Sequence, residues 1–228
     1  MKKITKTTEP SSLTSYRSSI AHERLLDANV YEDYPHKTKQ GCSEGDRNNL
    51  RLQLLKEQGY ICCYCMSRIN CENSKIEHLK PQSQFRDKQI DYSNLFIACD
   101  GGEGLAQNKQ YCDTKKSEIE LKAIDFLDNI QDYLKYKKEA QKVIILSNNT
   151  DLSDDINTLN LNVDRLAKNR KEAYDKVISS LSIKNFSKNA IKKTLEYYKQ
   201  MHNGKYEPYC EMIVYFLTKK LRQQGVTP

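Results

Sequence analysis

Ile61-Cys62-Cys63-Tyr64-Cys65, Ile76-Glu77-His78-Leu79-Lys80-Pro81, Asp91-Tyr92-Ser93-Asn94-Leu95, and then Cys99 with Cys112-Asp113-Thr114-Lys115-Lys116 decide how this chain reads. Cys62 and Cys65 have the two-residue gap that lets both thiolates of one knuckle reach the same tetrahedral ion. Cys99 and Cys112 supply the second pair. Twelve residues separate them, wider than a knuckle allows, so the loop bearing Gly101, Gly102 and Gly104 must bring Cys112 back. The expected centre is a structural zinc held by Cys62, Cys65, Cys99 and Cys112, with Cys63 and Cys71 as spare thiols. Four free thiols buried in a reducing cytosol are the competing reading.

Between the two cysteine pairs lies a cluster suited to hydrolysis. Cleaving a phosphodiester needs a base for water and a cation to neutralise charge on the phosphate and the leaving oxygen. His78, with an ordinary pKa near ~6.5, accepts a proton at neutral pH. Glu77 is adjacent, so in an extended strand the two side chains point to opposite faces. They share one ligand sphere only if the strand ends or bulges there, and Pro81 suggests that it ends.

On these residues the chain resembles the HNH, or ββα-metal, nuclease family, in its branch with a four-cysteine zinc. The resemblance matches His78 to the first His of the family motif, Glu77 to the acidic residue before it, and Asn94 to the middle Asn. Asp113, where Asn or His is commoner, matches the polar residue after the last zinc cysteine. It implies His78 as general base, Asn94 as the residue steadying the loop that aims it, and Glu77 and Asp113 as ligands of one catalytic Mg²⁺ or Mn²⁺. Lys116 or the C-terminal lysines would bind substrate phosphate. Beyond the motif the chain looks like the PtuB-type HNH proteins of Septu and retron-associated anti-phage systems. Met1-Lys2-Lys3-Ile4-Thr5-Lys6, the Cys112-Asp113-x-x-Lys116 exit, and Leu159-Asn160-Leu161-Asn162 with Arg165 and Arg170 carry that likeness. It implies a nucleic-acid substrate, DNA or RNA, and a restraining PtuA-like ATPase, with a retron reverse transcriptase and msDNA where the locus encodes them.

Composition sets the bounds. The 228 residues suffice for one domain with appendages or two small ones. No apolar run approaches the ~18 residues that would span a bilayer, and the lysine-bearing N-terminus has no apolar segment behind it. Eight cysteines without a signal favour metal over disulfides, so a cytoplasmic protein without membrane contact is expected. Net charge is +7, and residues 184–228 hold nine Lys or Arg against three Glu. Such a surface attracts polyanions, or is an ordinary solvated helical face. Fifteen Tyr and no Trp offer stacking surfaces or, for most of them, helix packing.

The expected fold is α+β and predominantly helical: a ββα-metal HNH core with zinc knuckles and a helical C-terminal region. A soft boundary divides residues 1–131, the nuclease domain with an N-terminal arm, from a hairpin plus helical region at 132–228. Residues 1–19 read as extended or irregular, 20–30 as a short helix, and Asn29 to Gly41 as loop. Asp46 to Gln58 reads as a helix capped by Ser43 or Asp46 and stopped by Gly59. Two short strands follow around 60–78. A helix is expected from Asp113 onward, on the spacing of Ile119, Ala123, Phe126, Leu127 and Ile130, with Asp113 at the positive end of its dipole. Tyr133–Tyr136 and Lys142–Leu146 read as a hairpin, and Asp151 to Asn162 as a short helix and loop. Three helical stripes complete the chain: Val163 to Leu181, Ile191 to Met201 stopped by Gly204, and one opened by Pro208 with Ile213, Phe216, Leu217 and Leu221 inward. A non-catalytic zinc-knuckle nucleic-acid binder, or an adaptor docking through the C-terminal bundle, is the competing function.

Overall fold

Leu95-Phe96-Ile97-Ala98-Cys99 is an unbroken apolar run, and in the computed structural model it forms β2 (Leu95–Cys99), buried along its whole length. The structure describes residues 1–34, 46–126 and 128–226. β2 pairs antiparallel with β1 (Ser74–His78), setting Ser74 opposite Cys99 and His78 opposite Leu95. The buried amide of Gln58 closes the other edge, donating to Ile97 O at 2.8 Å and accepting from Ile97 N at 2.8 Å. Of the two strands expected around 60–78, the first is only the bridge between Ile61 and Arg68, which closes the knuckle.

Helix α2 (Asp46–Glu57) buries Leu50, Leu54 and Leu55 completely, each stabilising by roughly 1.5–3 kcal/mol before entropic costs. Gly59 ends it with φ +58°, and a Cβ there would lie 2.5 Å from the Tyr206 ring, so only glycine fits. Ser43, the expected cap, and residues 35–41 of the expected loop lie outside the described residues, as does Leu127.

The N-terminus departs from expectation. Residues 11–19 form a helix, α1 (Ser11–Ser19), entered from Pro10 and anchored by the buried Leu13. The expected helix over 20–30 is a five-residue 3₁₀ segment, His22–Leu26.

The largest departure follows Cys112. Helix α3 spans only Cys112–Lys116 and ends at Ser117, whose φ is +50°. Asp155 explains why no long helix forms. Its buried carboxylate accepts from the backbone N–H of Lys122 at 2.8 Å, Ala123 at 2.8 Å and Ile124 at 2.9 Å, and so takes donors a helix would use. Ile124 and Phe126 reach the core from irregular backbone and Ile130 from the start of a 3₁₀ turn (Ile130–Tyr133), while Ile119 stays 52% exposed. A single turn also carries little macrodipole, so the dipole argument for Asp113 falls with the helix.

The second hairpin stands as expected: β3 (Leu134–Lys138) pairs with β4 (Val143–Ser147), Leu134 opposite Ser147. Next come α4 (Thr150–Thr158), capped by Asn149, then α5 (Asp164–Ser182), α6 (Lys188–Lys199) and α7 (Cys210–Gln223). Pro208 lies ahead of α7 rather than in its first turn, because Tyr209 takes a left-handed N-cap conformation. Ile213, Leu217 and Leu221 are buried as the stripe requires, and Phe216 is packed against the same core.

Leu159-Asn160-Leu161-Asn162 is a clasp between the halves of the chain. Leu159 O accepts from Cys112 N at 2.9 Å, and Asn160 Nδ2 donates to Gln110 O at 2.8 Å. Arg170, fully buried, donates to Val143 O at 2.7 Å, Leu161 O at 2.9 Å and Asn162 Oδ1 at 3.1 Å. Arg170→Ala would orphan these acceptors and should cost roughly 3 kcal/mol or more, with Arg170→Lys a poor rescue because an ammonium lacks the planar fork. Urea unfolding checks this; an unchanged midpoint for Arg170→Ala would contradict it.

Candidate metal centre and active site

Four thiols converge where the knuckle, the end of β2 and the start of α3 meet. Cys62 Sγ lies 3.9 Å from Cys112 Sγ, and Cys65 Sγ lies 3.8 Å from Cys99 Sγ. All four sulfurs fall within 4.8 Å of one another, and all four residues are buried. A tetrahedral zinc with bonds of about 2.3 Å sets its sulfurs about 3.8 Å apart, so the donor set fits the ion in both chemistry and spacing. Burial works against the Cys62 thiolate, but hydrogen bonds from Cys112, Cys63, Cys65 and Cys99 outweigh it and hold the thiol well below its usual pKa. Cys63 and Cys71 stay outside this cluster, and burial pushes the Cys63 thiol up.

The long gap between Cys99 and Cys112 is closed by the glycine-bearing loop. Gly101 has φ +62°, and a Cβ on it would lie 2.3 Å from Tyr111 O. Tyr111 N donates back to Gly101 O at 2.9 Å, and Thr114 Oγ1 to Asp100 O at 2.7 Å.

The adjacent Glu77 and His78 serve opposite sides of β1, as strand geometry requires. Glu77, 2% exposed, faces the knuckle. Its Oε1 accepts from Tyr64 Oη at 2.7 Å and pairs with Lys116 Nζ at 2.7 Å. Burial first, and then a hydrogen bond with Asp113, push the Glu77 carboxyl well above its usual pKa, and Lys116 offsets this only in part. Glu77 and Asp113 are thus brought together. Lys116 is not at the surface: it is 2% exposed, and its ammonium also donates to His78 O at 2.9 Å.

His78, 6% exposed, faces the loop of residues 79–94. Its Nε2 lies 2.9 Å from Gln89 O, an acceptor, so this nitrogen carries the proton and Nδ1 keeps the lone pair. Burial pulls the imidazole down to about 4, although the Gln89 carbonyl favours the charged form. Asn94 holds that loop from its far end. Its Oδ1 accepts from Lys80 N at 2.8 Å, and its Nδ2 donates to Lys80 O and Lys88 O, each at 3.1 Å.

No protein-family model matches the chain, and no curated protein matches it. Among the described residues no helix is long and apolar enough to cross a membrane.

Three residues at this site carried no functional reading in the sequence: Tyr64, Gln89 and Tyr31, whose ring meets His78 edge-on with centroids 4.5 Å apart. Gln89 acts through its backbone, which no residue-type signal reveals. Lys116 was legible in placement, since three residues after Asp113 is the same face of a helical turn. Tyr64 links the thiol cluster to Glu77. Tyr64→Phe should keep its zinc content but lose about 1–2 kcal/mol of stability, from one donor removed inside a buried group. Zinc analysis beside urea unfolding checks this, and loss of the metal would contradict it.

Proposed function

We propose that this chain is a metal-dependent HNH endonuclease that hydrolyses phosphodiester bonds of DNA or RNA. The observation that carries the reading is His78 itself. It ends a strand with one ring nitrogen fixed on the Gln89 carbonyl and the other keeping its lone pair, next in the chain to Glu77 and on a hairpin that reaches the four convergent thiols. On this reading Nδ1 takes the proton from a water whose oxygen attacks phosphorus, and the bond to the leaving oxygen breaks. Asn94 keeps the loop that aims the imidazole. Glu77 and Asp113 would hold a Mg²⁺ or Mn²⁺, because two hydrogen-bonded carboxyl groups offer hard oxygen donors where such an ion displaces a proton. That ion supplies neutralisation of charge on the phosphate and the leaving oxygen. Lys116, bonded to Glu77, balances charge there instead of meeting substrate, which leaves phosphate contact to exposed lysines such as Lys188, Lys192 and Lys193.

The wider resemblance supports a role as effector of an anti-phage system, held in check by a PtuA-like ATPase and, where encoded, by retron reverse transcriptase and msDNA. One observation favours a second reading, a non-catalytic zinc-knuckle binder or adaptor: both Glu77 and His78 are buried.

His78→Ala separates them. It should reduce Mn²⁺-dependent cleavage of plasmid DNA or single-stranded RNA by ~10²–10⁴ while leaving zinc content unchanged. Cleavage at the wild-type rate, or none by wild type in any metal, would favour the second reading.

A further inference from the structure

A base that deprotonates water must have water and phosphate within hydrogen-bond reach. His78 is 6% exposed, held on one side by Gln89 O of the loop 79–94 and covered on another by a short segment, residues 27–34. Tyr31, 7% exposed, packs its ring edge-on against the imidazole at an interplanar angle of 87°.

This strap is fastened chiefly by side chains from elsewhere in the chain. Arg47 on α2 stacks its guanidinium 4.6 Å from the centre of the Tyr31 ring. The same group donates to three strap carbonyls, Tyr31 O, Glu32 O at 3.0 Å and Tyr34 O at 3.2 Å. Tyr16 Oη donates to Val30 O at 2.8 Å, and Arg86 to Ala28 O at 3.2 Å. Gln89 Nε2 donates to Asp27 O at 2.8 Å, so the residue that fixes the imidazole tautomer also pins the strap. Within the strap two turn bonds are formed, from Asp33 N to Asn29 O and from Tyr34 N to Tyr31 O. Val30, Tyr31 and Tyr34 pack into the core, but the segment pairs with no strand or helix, so its release breaks these contacts and the latches together without unravelling a ladder.

Its three exposed acids add ionic latches to the same end: Asp27 and Asp33 pair with Arg24 at 3.3 and 3.9 Å, and Glu32 with Arg47 at 3.6 Å.

We propose that residues 27–34 are an autoinhibitory cap over His78, whose release opens the site to nucleic acid. This rests on His78 being the base, and the experiment tells the two claims apart. Full-length wild type, Tyr31→Ala, Arg47→Ala and Tyr31→Phe are treated with diethyl pyrocarbonate at neutral pH. Modification of His78 is followed by peptide mass spectrometry against His202, and Mn²⁺-dependent plasmid and RNA cleavage is measured in parallel. Wild type and Tyr31→Phe should label His78 slowly. Tyr31→Ala and Arg47→Ala should raise both labelling and cleavage by about ten-fold or more, the factor set by a minor open state of about 0.1–10%. Zinc content identifies a variant that has unfolded, and the other then decides. Fast labelling of wild-type His78, or faster labelling without faster cleavage, overturns the cap. Faster labelling with no cleavage by any protein removes the nuclease reading, and the inhibitory role with it.

Discussion

Four cysteine sulfurs brought within 4.8 Å of one another are the constraint on which the rest of this structure depends. They come from a knuckle, a strand end and a one-turn helix separated by up to fifty residues of chain. The set fits a tetrahedral cation, and an ion that bound the folded arrangement alone would lend its binding free energy to folding. The one-turn helix that carries Cys112 also carries Asp113 and Lys116, and Lys116 pairs with Glu77 at 2.7 Å. Tyr64 lies between Cys62 and Cys65 in the chain and bonds Glu77, so the thiol cluster and that carboxyl are directly joined.

Two buried polar clamps then attach the helical region to this unit. Asp155 collects the backbone N–H groups of residues 122–124, and Arg170 collects carbonyl oxygens from β4 and the Leu159–Asn162 turn. Both are ionic side chains in the interior, and each is tolerable because its bonding capacity is used. Since Leu159, the C-cap of α4, also accepts from Cys112 N, the helical region is tied directly to the fourth thiol. The soft boundary near residue 131 is therefore crossed by backbone hydrogen bonds.

Where the sequence speaks through periodicity or through fixed chemical spacing, it was readable. The grouping of the four thiols, the hairpin at 134–147, α2 and the three C-terminal helices followed from such signals. The long helix expected after Asp113 did not, because the apolar spacing of Ala123, Phe126 and Ile130 was a true burial signal attached to the wrong backbone. A carboxylate thirty-two residues beyond Ala123 takes the N–H groups, and no local window contains it. The burial of Lys116 was not readable for a similar reason: lysine is usually exposed, and here its pairing with Glu77 makes burial tolerable. The occlusion of His78 was unreadable too, since Tyr31 lies forty-seven residues away and meets it only in the folded chain.

X-ray absorption at the zinc edge, on protein purified without added metal, tests the central claim most directly. Four sulfur scatterers at about 2.3 Å, with no nitrogen or oxygen in the first coordination sphere, are the result this structure requires. A nitrogen- or oxygen-containing sphere, fewer than four sulfurs, or folded protein free of zinc would contradict it.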